Sequence, residues 1–415
     1  MSETGAQKLK IILIASGCDG TDVGEAWNSF QWVSYLSKRH DVTLLTFRKR
    51  DKSPASLQLP GVRVVEWIDL PVVGRWERFN SMLKPGYVKF YAGARRWIKN
   101  RLSAGESFDL VHQISPVAMR YPSPAAGLGI PFILGPVGGS LESPDGFGTE
   151  LKTAPWYTKF RLIDEWRLHH DPLLKHTYSS ADLVIGIAPY VKSLLGGIPS
   201  HEVELMSEVG MPCLPPQRHG SEKTKNEFRL LFVGRVIRTK GLRDAIRAIA
   251  QVKDIDGLRF DVVGDGYDLP ACKEETRALD VSHLVTFHGR LQRSDVDAFY
   301  EAADVFLFPS FREPGGIAIM EAMSYGLASI VADRGGPGFV VDDECGIRIP
   351  VSEPQNFASQ IAEAIRVLAQ HPALVAVMGK SAREKVRLQY LWDGKIDRME
   401  GIYRRVIAGQ PLRQS

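Results

Sequence analysis

Two carboxylates, Glu313 and Glu321, bracket a glycine-rich turn and a short apolar run in the stretch Phe311-Arg-Glu-Pro-Gly-Gly-Ile-Ala-Ile-Met-Glu-Ala-Met-Ser-Tyr-Gly-Leu327. Pro314, Gly315 and Gly316 are costly inside a helix, whereas Ile317 to Tyr325 reads as a short helix closed by Gly326. The glycines therefore open a helix, where free N–H groups and the positive end of the helix dipole can hold an anion such as phosphate. At a rise of about 1.5 Å per helical residue the two carboxylates stand more than a turn apart, too far for a close acid/base dyad. They suit the two ends of one elongated ligand, a nucleotide sugar, with one carboxylate toward the sugar and the other toward the ribose.

Elements that could position such a site recur along the chain. Short β-branched runs at 10–15, 42–47, 62–68, 109–114, 131–134 and 182–187, and again at 229–233, 259–263, 285–288, 305–308, 329–332 and 347–349, alternate with helix-length stretches. Runs of this kind predict two parallel sheets, an α/β fold of two Rossmann-like domains. A length of 415 residues also favours two cores over one. The proline-rich, polar text between Met211 and Asn226 reads as the linker. Ligands of open α/β sheets bind outside the carboxyl ends of the strands, so two substrates would meet between the two sheets.

The second half carries a further phosphate signature after its first strand, Leu231-Phe-Val-Gly-Arg-Val-Ile-Arg-Thr-Lys-Gly-Leu242. Gly234 makes the turn, and Arg235 and Lys240 bring two cations to a backbone that can approach a diphosphate. The alternative is a basic surface turn. Val263-Gly264-Asp265-Gly266 again offers glycine amides at a helix start, without a full GxGxxG pattern. Two Asp-x-Asp triplets, Asp254-Ile-Asp256 and Asp295-Val-Asp297, precede a strand and open a helix respectively, which disfavours a metal-dependent reading.

Taken together, Gly234-Arg235 with Lys240-Gly241, Val263-Gly264-Asp265-Gly266, Phe287-His288-Gly289-Arg290, Ala303-Asp-Val-Phe-Leu-Phe-Pro-Ser310 and the Glu313/Glu321 pair resemble the retaining nucleotide-sugar glycosyltransferases of family four. The resemblance is strong from about 228 to 350 and weaker before. It implies the GT-B architecture, two Rossmann-like domains facing across a cleft, divided as 1–215 and 216–390 with a last helix at about 390–415 crossing back. It also implies metal-independent transfer of a sugar from a UDP-sugar, with GDP-sugar second, retaining the anomeric configuration and using no cofactor. By the same resemblance Arg235 and Lys240 hold the diphosphate, Glu321 binds ribose and Glu313 contacts sugar hydroxyls. The amides around Gly315, Gly316 and Ile317 support sugar and phosphate, and Arg290 borders the base. Departure of a nucleoside diphosphate concentrates charge on its β-phosphate, which preorganised cations and amides stabilise. A front-face reaction through an oxocarbenium-like state is implied; Glu313 as a nucleophile is the alternative.

The first half departs from that pattern. Where family members carry Gly-Gly after the first strand, this chain has Gly24-Glu25. Gly24 remains a phosphate-loop candidate and Glu25 could face the acceptor. Where many members carry His-x-His, only His112 is present, with Ile114 at the second position, so His112 is either the active-site histidine or a core histidine at a strand end. Gly138 and Gly139, in Gly135-Pro-Val-Gly-Gly139, form either a loop near donor or acceptor or a tight turn.

Between Arg75 and Arg101 eight Lys or Arg residues meet one acid, with six aromatics interleaved, and the part from Gly86 to Leu102 reads as a basic amphipathic helix. Such a helix can lie on an anionic bilayer, or it can pack its aromatics on the first sheet and turn its cations to water. The resemblance favours a lipid-linked saccharide, glycan or small-molecule acceptor at the cytoplasmic face of the membrane. A formal charge of +4 and the absence of a recognition motif argue against nucleic acid. Cys18, Cys213, Cys272 and Cys345 form no CxxC, which points to a reducing cytoplasm. No run reaches the roughly 20 apolar residues of a membrane span. Tyr390 to Ile407 is amphipathic and is expected to pack Trp392 and Tyr403 on the first domain. Rival readings are a nucleotide-sugar epimerase or phosphorylase on the same architecture, and an inactive scaffold subunit.

Overall fold

The computed structural model describes residues 7–22, 24–48, 52–69, 84–148, 162–198, 202–216 and 227–410. The chain divides into two compact units. The first comprises Met1–Ser140, Pro155–Gly210 and Trp392–Ser415, and the second Leu141–Ala154 and Met211–Leu391.

In the first unit seven parallel strands, β1 (Lys10–Ala15), β2 (Asp41–Arg48), β3 (Arg63–Ile68), β4 (Leu110–Gln113), β5 (Phe132–Val137), β6 (Leu183–Gly186) and β7 (Val203–Leu205), lie in the order β3-β2-β1-β4-β5-β6-β7. The central strands are buried along nearly their whole length because helices cover both faces, which is why their sequences are continuous apolar runs. The edge strand β7, three residues of Val-Glu-Leu, was outside the sequence expectation because it is too short to show a period. The helix Trp392–Ile407 presents Trp392, Ile396, Met399 and Tyr403, at helical spacing, to the core that also holds Trp32, Val33 and Leu36. Trp392 meets Trp32 edge-on at 5.3 Å.

The second unit has β8 (Phe228–Val233), β9 (Leu258–Val263), β10 (Val285–Gly289), β11 (Val305–Phe308), β12 (Ala328–Ala332) and β13 (Gly346–Ile349), all parallel, in the order β10-β9-β8-β11-β12-β13. Residues 141–154, which a contiguous division at 215 assigns to the first domain, cluster with this unit. Phe147 explains it, lying 4.3 Å from the Phe311 ring and edge-on to Phe357 at 6.1 Å. Both sheets are doubly wound, and their order reverses between β1 and β4 and between β8 and β11.

Of the basic aromatic segment, residues 75–83 lie outside the described residues. The rest forms the helix Tyr87–Ser103. Phe90 packs against Phe47 and Trp67, the Tyr87 hydroxyl donates to Pro122 O at 2.8 Å, and Trp97 lies under the guanidiniums of Arg63 and Arg101. These aromatics are thus committed to the protein and do not form the bilayer-facing belt of the interfacial reading. Lys89, Arg96 and Lys99 face outward. Among the described residues no single helix is long and apolar enough to cross a membrane.

Candidate active site

At the carboxyl end of β8 the chain turns through Gly234 and Arg235, makes one 3-10 turn at Arg238–Lys240 and enters the helix Leu242–Gln251 through Gly241. Gly241 has φ 76°, and a Cβ there would lie 2.0 Å from Pro309 O, so only glycine lets this turn sit against the end of β11. The Ser310 hydroxyl adds a bond to Thr239 O at 3.2 Å. The tight turn sends Arg238 inward and Lys240 along the strand ends. Arg238 is wholly buried, forms a two-pronged pair with Asp244 at 2.6 and 2.9 Å, and stacks on Phe147 and Phe311 at 5.1 and 5.3 Å. The sequence reading passed over this pair, which holds the turn in place and whose only signal was Arg-x5-Asp.

Lys240 reaches the Glu313 carboxylate in an ion pair and lies 5.2 Å from the Phe308 ring. Burial, reinforced by the Arg235 charge, pushes its amine down to about 7, and the touching carboxylate acts in the opposite sense. Glu313 Oε1 also faces the N–H groups of Gly315 and Gly316, at 3.4 and 3.3 Å. Gly316, at φ 96°, caps the helix Ile317–Ser324, its carbonyl accepting from the Ile319 and Met320 N–H groups at 3.1 and 3.2 Å. Ile317 is 43% exposed at that end. Gly335 and Gly336 after β12 press on this loop, since a Cβ on Gly336 would meet Gly315 O at 2.3 Å, and the Gly336 N–H donates to Glu313 O at 2.9 Å. The sequence reading did not assign that Gly-Gly pair to the site.

Glu321 stands apart on the same helix. It accepts from the Tyr300 hydroxyl at 3.3 Å and pairs with Arg293 at 3.1 Å, while burial raises its pKa against those two partners. The two carboxylates therefore occupy different polar environments, as their spacing implies. Arg235 and Arg290 are exposed at the ends of β8 and β10.

Gly264 and Gly266 correct the sequence reading. The Gly264 N–H donates to Gly289 O at 2.8 Å and the Gly266 N–H to Asp265 Oδ1 at 2.7 Å, so neither amide waits for a ligand. Their Cβ atoms would lie 1.8 Å from Gly234 O and 2.1 Å from Val236 O. They are glycines because the loops after β8 and β9 touch backbone to backbone. Asp254 of the first Asp-x-Asp triplet pairs with Arg366 on the surface, and Asp295 lies in the first turn of the helix Arg293–Ala302.

In the first unit His112 is fully buried. Its Nε2–H donates to Gly135 O at 2.6 Å, which leaves Nδ1 to accept from the Tyr403 hydroxyl at 2.7 Å. Burial pushes the imidazole down to about 4 despite the Gly135 bond. With both nitrogens engaged and no exposed edge, it is a core histidine, and the catalytic role expected for it is withdrawn. Gly138 is packed tightly, a Cβ there meeting Ile187 at 2.0 Å. The Gly139 N–H is taken by the Tyr190 hydroxyl at 2.9 Å. Gly24, at φ 67°, opens the helix Glu25–Leu36 with nothing within 4 Å of its missing Cβ.

Residues 215–385 match the family model described as glycosyl transferases group 1. The D-inositol 3-phosphate glycosyltransferase of Corynebacterium diphtheriae is 29% identical over 182 residues, 42% of this chain and 42% of that protein. The matched region spans less than half of the curated relatives' length. Sucrose-phosphate synthase from Thermosynechococcus elongatus superposes with a TM-score of 0.65 at 21% identity, over 97% of this chain and 100% of that one. An Anabaena protein solved with UDP-glucose gives 0.59 at 17% identity, over 95% and 99%.

Proposed function

We propose, on the premise that residues 215–385 are a glycosyl transferases group 1 domain, that this chain moves a sugar from a nucleoside diphosphate sugar to a hydroxyl-bearing acceptor. The observation that carries the reading is the convergence of Lys240, Glu313 and the Gly316-capped helix on the point where the second sheet's order reverses. A buried ammonium, an exposed guanidinium at Arg235 and the positive end of the Ile317–Ser324 helix form a preorganised cationic surface for a leaving diphosphate. In this reading the diphosphate competes for Lys240 with Glu313, which then turns to the donor sugar's hydroxyls, and Glu321 takes the ribose. Gly234 lets backbone approach the ligand, and Arg290 borders the base.

UDP-sugar is the first donor to test, since a fold neighbour was solved with UDP-glucose. We further propose retention of configuration without a metal ion, and a lipid-linked or glycan acceptor at the inner face of the cytoplasmic membrane. Lys89, Arg96 and Lys99 would supply the contact with anionic lipid. Calorimetric titration with UDP and GDP tests the donor site. Micromolar binding of one nucleotide, weakened at least tenfold by Lys240→Met, is expected, and absence of binding by both would end this reading. Anomeric configuration is read by NMR of the product formed in the presence of chelator.

A further inference from the structure

We propose that Glu25, Lys84 and Ser16, at the reversal point of the first sheet, form a binding site for adjacent hydroxyl groups of a saccharide. The inference rests on the transfer reaction proposed above and assigns the acceptor side of it.

Ser16 follows β1 and Ser115 follows β4, the two strands between which the order reverses. The Ser16 N–H donates to Ser115 Oγ at 3.0 Å, and Ser115 shares a bond with Ser29 Oγ at 3.1 Å, which fixes the two strand ends together. Glu25 is the first residue of the helix that starts there. Its Oε1 accepts from Ser16 Oγ at 3.0 Å and from Lys84 Nζ, and its Oε2 from the Val117 N–H at 3.3 Å. Lys84 Nζ also donates to Ser16 Oγ at 2.8 Å. The backbone of Lys84 has φ 40°, a conformation rare for a side-chain-bearing residue and typical of functional sites.

Hydrogen-bond capacity points to the ligand. An ammonium has three donors, of which Ser16 and Glu25 take two. A carboxylate has about four acceptor positions, of which three are filled. Among the described residues no further hydrogen-bond partner takes the third Lys84 donor, which lies 6.0 Å from the Tyr121 ring, or the second position on Glu25 Oε2, and the two side chains are 19% and 33% exposed. Neighbouring sugar hydroxyls, each able to donate and accept, match that pair. An anion does not, because Glu25 already sits at the positive end of the helix and Lys84 is neutralised.

The test is saturation-transfer NMR with methyl α-D-glucopyranoside and methyl α-D-mannopyranoside on the full chain under saturating UDP. The expected result is transfer to at least one glycoside with the wild type, reduced at least fivefold in Glu25→Gln/Lys84→Met, which removes both charges together. UDP affinity is expected to stay within twofold, and inorganic phosphate is expected not to compete. Glu25→Asp keeps the charge but withdraws it from Lys84, so it serves where the double variant fails to fold, and a reduction of at least threefold is expected. No glycoside signal with the wild type, an unchanged signal in these variants, or competition by phosphate would overturn the proposal. Failure of UDP to bind the wild type would instead count against the donor reading, leaving the glycoside result to be judged alone.

Discussion

In the first unit the reversal point lies between β1 and β4, in the second between β8 and β11, and in each a glycine with positive φ opens the helix that follows the first of these strands. The wiring is the same and the chemistry differs. In the second unit the cations Arg235 and Lys240 precede Gly241; in the first an acid, Glu25, follows Gly24 directly. A carboxylate on the first helical residue occupies the positive helix end that an anion would otherwise use. A cation placed ahead of that end adds to it. The comparison teaches that a shared sheet order supplies only a place for a ligand, and that one or two residues on the loop decide whether the place favours phosphate or hydroxyls.

The largest expected effect that could break this contrast is on turnover. Lys240→Met should lower kcat by about 10²- to 10³-fold, the scale for removing one preorganised electrostatic group. Glu25→Gln should leave UDP affinity unchanged. Steady-state kinetics and calorimetry on both variants check this, and a comparable loss of UDP binding in both would erase the distinction between the units.

Gly241→Ala comes next. Its Cβ would overlap Pro309 O in a backbone region that alanine avoids, so a loss of about 3 kcal/mol in urea denaturation is expected. The two carboxylates of the second unit follow. Glu321→Ala should weaken UDP binding by about 1–3 kcal/mol, the cost of a lost bond to a buried polar group, whereas Glu313→Gln should lower kcat more than UDP affinity. Equal effects on affinity would remove the proposed division between ribose and sugar ends.

A pH series sharpens the role of Lys240. Its folded-state amine lies near 7, below the ordinary lysine value, so between about 7 and 10 the unfolded chain holds a proton that the folded chain lacks. Stability from this group therefore rises with pH across that window. Diphosphate binding requires the charged form, so UDP affinity should fall above pH 7, by at most about tenfold per unit. Removing the opposing carboxylate in Glu313→Gln should shift that fall to lower pH. A flat profile between pH 7 and 9 would show that Glu313 keeps the amine fully charged.

The sheets were legible because strands covered on both faces are written as unbroken β-branched runs, and the Ile317–Ser324 helix because Pro314, Gly316 and Gly326 punctuate it. What stayed hidden depended on distant partners. His112 is a core residue because Tyr403 closes over it from 291 positions away. The amides of Gly264 and Gly266 are consumed by groups whose approach is tertiary or conformational. Among Arg235, Arg238 and Lys240 the pattern of charges cannot say which is buried, since a single 3-10 turn decides it. Residues 141–148 join the second unit through Phe147, whose aromatic partners Phe311 and Phe357 are far along the chain.

The smallest effect tests the glycine that opens the corresponding helix of the first unit. Gly24 has φ 67° and ψ −131°, which disfavours a side chain, yet nothing lies within 4 Å of the position its Cβ would take. Strain without a clash can relax into open space, so Gly24→Ala should cost only about 1 kcal/mol, well below Gly241→Ala. Its functional consequence separates two roles. If the loop approaches the donor phosphate, the added methyl should raise the donor KM and leave the glycoside signal under saturating UDP unchanged. If Gly24 serves only to present Glu25, the glycoside signal should weaken while the donor KM holds, because the methyl would tilt the first helical residue away from Ser16 and Lys84.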